Sequence, residues 1–128
     1  MGRLAGGITL LFCSTLALAA AEVTHLRCEH LKNPLGIDVP TPRLTWTMTS
    51  SQRGEVQTAY TVLVASSPEL LARDEGDLWN SGKITSAQSA LVPYEGKPLS
   101  SRQRCYWKVR LWDRDGRATA WSALASWS

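Results

Sequence analysis

Trp107, Val109 and Leu111 alternate with Lys108, Arg110 and Trp112. This is the period-two pattern of a half-buried strand. Asp113-Arg114-Asp115-Gly116 follows with turn chemistry, and Gly116 is free to take a positive φ. A second short strand is expected over Ala118 to Trp127, so the last quarter of the chain reads as a β-hairpin.

The same pattern recurs upstream. Glu22 to Leu31 alternates weakly and reads as a first strand, broken by Asn33-Pro34-Leu35-Gly36-Ile37-Asp38. Pro40 and Pro42 hold the next residues extended. Arg43 to Met48 is a second strand, with Leu44, Trp46 and Met48 on one face. Thr49 to Gly54 is a polar turn. Val56 to Ser66 is a third strand, nearly continuous in apolar character around Tyr60 to Val64, as a central strand would be. Ser67 to Arg73 predicts one or two helical turns: Ser67 suits the N-cap, Pro68 the first helical position and Glu69 the positive end. Asp77 to Gly82 and Ala90 to Tyr94 are further short strands, and Pro93 places the latter at an edge or strand end. About seven short strands separated by turn signals predict an all-β, seven-stranded immunoglobulin-like or fibronectin type III β-sandwich over residues 22–128.

Residues 1–21 break this pattern. Arg3 precedes an apolar run from Ile8 to Leu18, and both Ala17-Leu18-Ala19 and Ala19-Ala20-Ala21 fit a small-x-small cleavage site. The segment reads as a secretory signal peptide, too short in its apolar run to span a bilayer comfortably. A secreted or periplasmic location follows, with no membrane association after cleavage. What remains is one domain's worth of chain.

The formal charge of +3 comes from 14 basic and 11 acidic residues. The basic residues form no run, which argues against a nucleic-acid partner. Cys28 and Cys105 survive signal cleavage. Strand alternation points both into the core, and the sequence is compatible with a disulfide or with two separate buried thiols. Of six tryptophans, Trp46, Trp79 and Trp107 read as core or core-edge residues. Trp112 faces away from Trp107 by alternation. Trp112 and Trp127 are the candidate exposed aromatics, for a neighbouring domain first, ordinary edge packing second and a sugar third.

No catalytic, cofactor-binding or metal-binding constellation emerges. Glu69, Asp74, Glu75 and Asp77 share a polar stretch, and Asp113 and Asp115 flank a turn; all read as solvated loop acids. Glycoside hydrolysis needs two carboxyl groups facing each other across a bond, and none of these is placed for it. His25 and His30 sit at odd spacing near the first strand, with no nucleophile elbow and no zinc-ligand spacing. Arg114 and Arg117 oppose a cation at Asp113 to Asp115. No cofactor is expected.

Several segments in order resemble the opening of bacterial α-L-rhamnosidases of glycoside hydrolase family 78. They are Leu26-Arg27-Cys28-Glu29, Asn33 to Asp38, Pro42 to Trp46, Gln57-Thr58-Ala59-Tyr60, Val62 to Ser66, Asp77 to Lys83 and Tyr106 to Asp113. The resemblance covers about residues 23–128. It implies an N-terminal fibronectin type III-like sandwich that precedes further β-domains and an (α/α)6 catalytic barrel. The barrel's acids have no counterpart here. The implied function is a non-catalytic accessory domain of a secreted α-L-rhamnosidase, present as a fragment whose partners are the neighbouring domains. The alternative is a stand-alone secreted module that binds rhamnose-containing glycans or a protein.

Overall fold

The structure, a computed structural model, describes residues 21–50 and 54–128. The expected leader lies outside them, except for Ala21, which is buried just before the first strand. The elements in order are β1 (Glu22–Cys28), β2 (Arg43–Thr49), β3 (Ala59–Ala65), α1 (Pro68–Ala72), β4 (Trp79–Asn80), β5 (Val92–Pro93), β6 (Cys105–Trp112) and β7 (Ala125–Trp127). They form two antiparallel sheets, β1-β2-β5 and β4-β3-β6-β7. This is the two-layer, seven-stranded sandwich that the pattern predicts.

The sheets face each other across one core. Leu44, Trp46 and Val92 come from the first sheet; Val62, Trp107 and Val109 meet them from the second. β3 is buried along almost its whole length because it pairs with both β4 and β6. Its near-continuous apolar run is thus the signature of a central strand.

Two departures from the predicted pattern have clear causes. In β1 the register to β2 shifts between Thr24 and Arg27, with His25 at φ 54°. This bulge turns the strand, so Val23, Leu26 and Cys28 all reach the core although Val23 and Leu26 are an odd number of residues apart. The strand expected over Ala118 to Trp127 is regular only over β7. Before it the chain still runs beside β6, but Thr119 and Ser122 lend their hydroxyls to the ladder. The Leu111 N–H donates to Thr119 Oγ1 at 3.1 Å and the Val109 N–H to Ser122 Oγ at 3.0 Å. Side-chain acceptors of this kind replace the backbone pattern that defines a strand.

Helix α1 begins as its sequence predicts: Ser67 Oγ accepts from the Leu70 N–H at 3.2 Å, and Pro68 opens the helix. It ends where Asp74 takes φ 58° and the Glu75 N–H reaches back to the Leu70 carbonyl at 2.9 Å. Leu71 is buried against Leu63 and Ala65, covering the outer face of the second sheet.

Candidate functional site

Every acid singled out from the sequence has a place, and the partners described here are structural. Asp77 accepts from the Ser66 N–H at 2.8 Å and from Ser66 Oγ at 2.6 Å. Burial works to raise its carboxyl, but the Ser66 hydrogen bonds outweigh it and hold the group below its usual range. Asp74 pairs with Lys108 across from α1. Glu75 lies 3.6 Å from Arg73. Glu69 sits in the first turn of α1. Asp113 is buried and closes the hairpin turn, its Oδ1 accepting from the Asp115 and Arg117 N–H groups at 2.9 Å each. Asp115 faces Arg117 at 3.2 Å. These carboxyls lie in α1, the loop between α1 and β4, and the turn after β6, and those with described partners bond to turn backbone or pair with basic side chains.

His25 and His30 are exposed, and Cys28 between them is buried. Among the described residues no three His, Cys, Asp or Glu side chains come together as metal ligands. Cys28 and Cys105 lie within one core cluster with no bond between them in this structure. Burial pushes Cys28 up to about 12 and Cys105 up to about 11. Among the described residues no helix is long and apolar enough to cross a membrane.

The two candidate aromatics part company. Trp127 is not an exposed contact: it is 2% exposed and stacks edge-on against Tyr94 at 5.8 Å and Trp107 at 6.3 Å. The register explains this correction. Trp127 lies directly opposite Cys105, and cross-strand partners share a face. Cys105 faces in, so Trp127 does too. Trp112 stays on the outer face, half-buried, with Lys83 Nζ 4.8 Å from its ring centroid. Trp121 also packs on that face, beneath Lys108 and Arg110 at 4.8 and 4.6 Å.

Gln57 gave no functional signal in the sequence, yet it is buried with both ends of its amide bonded. Trp46 Nε1–H donates to its Oε1 at 2.9 Å, and its Nε2 donates to the Ser86 and Gln88 carbonyls at 3.0 and 2.8 Å. Arg43 binds Glu29 through its backbone N–H at 2.6 Å and its guanidinium at 3.2 Å. These bonds hold the Glu29 carboxyl below its usual range.

Beside a hollow of about 290 Å³ lined by Val23, His25, Asn33 and Leu124, two further concave regions stand out. One, of about 260 Å³, lies on the flank between β4 and β5 and is lined by Tyr60, Trp79, Gln88 and Glu95. The other lies at the end of the sandwich where β6 begins. There Ile37 and Asp38 face Ser101, Arg102 and Ser128 around about 490 Å³. The adjoining hollow of about 220 Å³ adds Val39 and Leu99.

The arrangement is a two-sheet scaffold whose singled-out polar side chains serve turns, ion pairs and the core. Its matches among known proteins agree. Residues 23–128 match the family described as Rha78A-like, N-terminal immunoglobulin domain. The chain belongs to this family. It is 47% identical over 110 residues to an α-L-rhamnosidase of Streptomyces avermitilis, a match covering 86% of this chain and 10% of that protein. It is 43% identical over 104 residues to an α-L-rhamnosidase of Formosa agariphila, covering 80% of this chain and 11% of that one. The crystal structure of the Streptomyces avermitilis α-L-rhamnosidase complexed with L-rhamnose superposes with a TM-score of 0.80 at 48% identity, over 84% of this chain and 10% of that chain. An α-L-rhamnosidase from Dictyoglumus thermophilum superposes equally well, at 0.80 and 36% identity, over 83% of this chain and 12% of that one. The chain thus spans about a tenth of the length of the curated relatives it matches. What it shares with them is the Rha78A-like immunoglobulin domain and not their catalytic region.

Proposed function

We propose that this immunoglobulin domain is the non-catalytic N-terminal module of an exported α-L-rhamnosidase of glycoside hydrolase family 78. Its partners are the neighbouring domains of that enzyme. The observation that carries the reading is the match of residues 23–128 to the N-terminal domain of proteins about ten times longer. The chemistry supports it: hydrolysis of a glycoside needs an acid and a base held ~5–10 Å apart across the scissile bond. Here the singled-out carboxyls are dispersed over turns and caps. Export follows from the leader-like residues 1–21.

The test is turnover of an aryl α-L-rhamnoside by the purified chain. No release of the phenol is expected, and measurable release overturns the non-catalytic assignment. A second reading, a carbohydrate-binding module, draws on the flank lined by Tyr60, Trp79 and Glu95. It requires a tryptophan fluorescence shift on titration with rhamnose-bearing glycans. A flat titration at millimolar sugar removes it.

A further inference from the structure

Three of the large apolar side chains exposed among the described residues, Leu31 at 53%, Leu35 at 69% and Val39 at 38%, lie on the loop joining β1 to β2. That loop is not loose. The Ile37 N–H donates to the Ser128 carbonyl at 2.8 Å, the Ser128 N–H to the Pro34 carbonyl at 3.1 Å, and the Ser126 N–H to Asn33 Oδ1 at 2.9 Å. The chain is therefore stitched along the loop up to residue 128. Ser128 itself lines the groove between Ile37 and Arg102. In the family the domain is N-terminal, and about nine tenths of each relative's length lies outside the matched part. Polypeptide that continues from Ser128 leaves through this groove, beside Leu35 and Val39.

We infer that this end of the sandwich, with Leu35 and Val39 flanked by Asp38 and Arg102, is the seat of the domain that follows in an α-L-rhamnosidase. The inference rests on the accessory-domain reading and deepens it by naming the face. An ordered exit favours such a seat, because a linker held to its own domain loses little further freedom when the next domain docks. The chemistry fits an interdomain contact, which is typically ~600–1,500 Å² and more polar than a permanent subunit interface. An apolar centre with one acid and one base at its edge would meet an apolar patch rimmed by hydrogen-bonding groups. The opposite end of the sandwich, where Ala59 pairs with Trp112, has no such exit.

The test places single thiols on the surface and times their reaction with a maleimide, locating each label by peptide mass. Cys28 and Cys105 are buried with raised thiol values, so a new surface thiol is the fast one. Four variants serve: Leu35→Cys and Val39→Cys at the seat, and Val56→Cys and Leu91→Cys elsewhere, at residues 52% and 41% exposed. Each is read in the chain itself and in the Streptomyces avermitilis enzyme carrying residues 22–128 in place of its own N-terminal domain. The seat thiols should react about tenfold more slowly in the enzyme, reaching reagent only when the contact opens, while the other two keep their rates. Slowing at Val56→Cys or Leu91→Cys with free reaction at Leu35→Cys and Val39→Cys overturns the face but keeps a docked neighbour. Equal rates at all four positions overturn the face, while the accessory-domain reading stands or falls on the aryl rhamnoside assay. Should the chimera not fold, thiols at the aligned positions of the intact Streptomyces avermitilis enzyme give the same comparison.

Discussion

Replacing Gln57 by leucine should destabilise this domain well beyond what a surface change would. Three hydrogen bonds of 2.8–3.0 Å end on this one side chain. The costly loss is on Trp46, which is 1% exposed, so its indole N–H would be left buried without an acceptor at about 1–3 kcal/mol. The Ser86 and Gln88 carbonyls belong to a segment with exposed neighbours, where water can replace the amide at about 0.5 kcal/mol each. The leucine's own apolar burial returns about 1 kcal/mol. The balance is a loss of about 2 kcal/mol, which for a domain near 100 residues lowers Tm by about 8–16 °C. Urea and thermal unfolding followed by circular dichroism measure it, and a double-mutant cycle with Trp46→Phe separates the bond from the ring. A coupling of about 1 kcal/mol or more between the two sites is expected. Trp107 Nε1 has no acceptor among the described residues, so Trp107→Phe strands no partner. In a cycle with Gln57→Leu it should show coupling near zero. If Gln57→Leu unfolds within about 2 °C of the parent, the buried amide is not holding Trp46 and the reasoning fails.

Three further outcomes follow from the packing. Trp127→Ala should cost about 3–5 kcal/mol, as for a large core side chain, while Trp112→Ala should cost about 1 kcal/mol, mostly its contact with Lys83; similar urea midpoints for the two variants would refute the register argument. Gly96→Ala would set a Cβ 2.4 Å from the Leu78 carbonyl and 2.5 Å from Tyr94 Oη. The overpacking should cost about 1–3 kcal/mol, read as a lowered denaturant midpoint; an unchanged midpoint would show that the contact relaxes freely. Cys28 and Cys105 have thiols raised from 9.0 to about 12 and about 11, so above pH 9 the unfolded chain releases protons that the folded one keeps. Their contribution is complete below pH 9 and is lost as pH rises through the folded values. The urea midpoint should fall from pH 8 to pH 10.5, and the fall should be shallower in Cys28→Ala/Cys105→Ala; parallel slopes would contradict this.

The hydrophobic pattern and the turn and capping residues determined the strand count, the all-β class and the N-cap of α1, because each rests on residues near one another in the chain. Period-two alternation and turn residues report local geometry, and Ser67-Pro68-Glu69 carries its helix start within three positions. The ordered segments from Leu26 to Asp113 likewise carried the family, and within them Asp77 and Ser81 accept backbone N–H groups of Ser66 and Val62. What the tertiary structure decided is everything set by register between distant strands. Trp127 turned inward because it faces Cys105, and no property of Ser126-Trp127-Ser128 states which strand it will pair with or in which register. The bulge at His25 put Val23 and Leu26 on one face, against the alternation. Gln57 reads as an ordinary polar residue until Trp46 and the chain at residues 86–88 arrive around it. The groove at Ser128 exists only because a loop near residue 36 and a strand end 92 positions later are bonded together. A sequence encodes such pairings only through the summed burial of two whole sheets, so they become visible when the sheets are assembled.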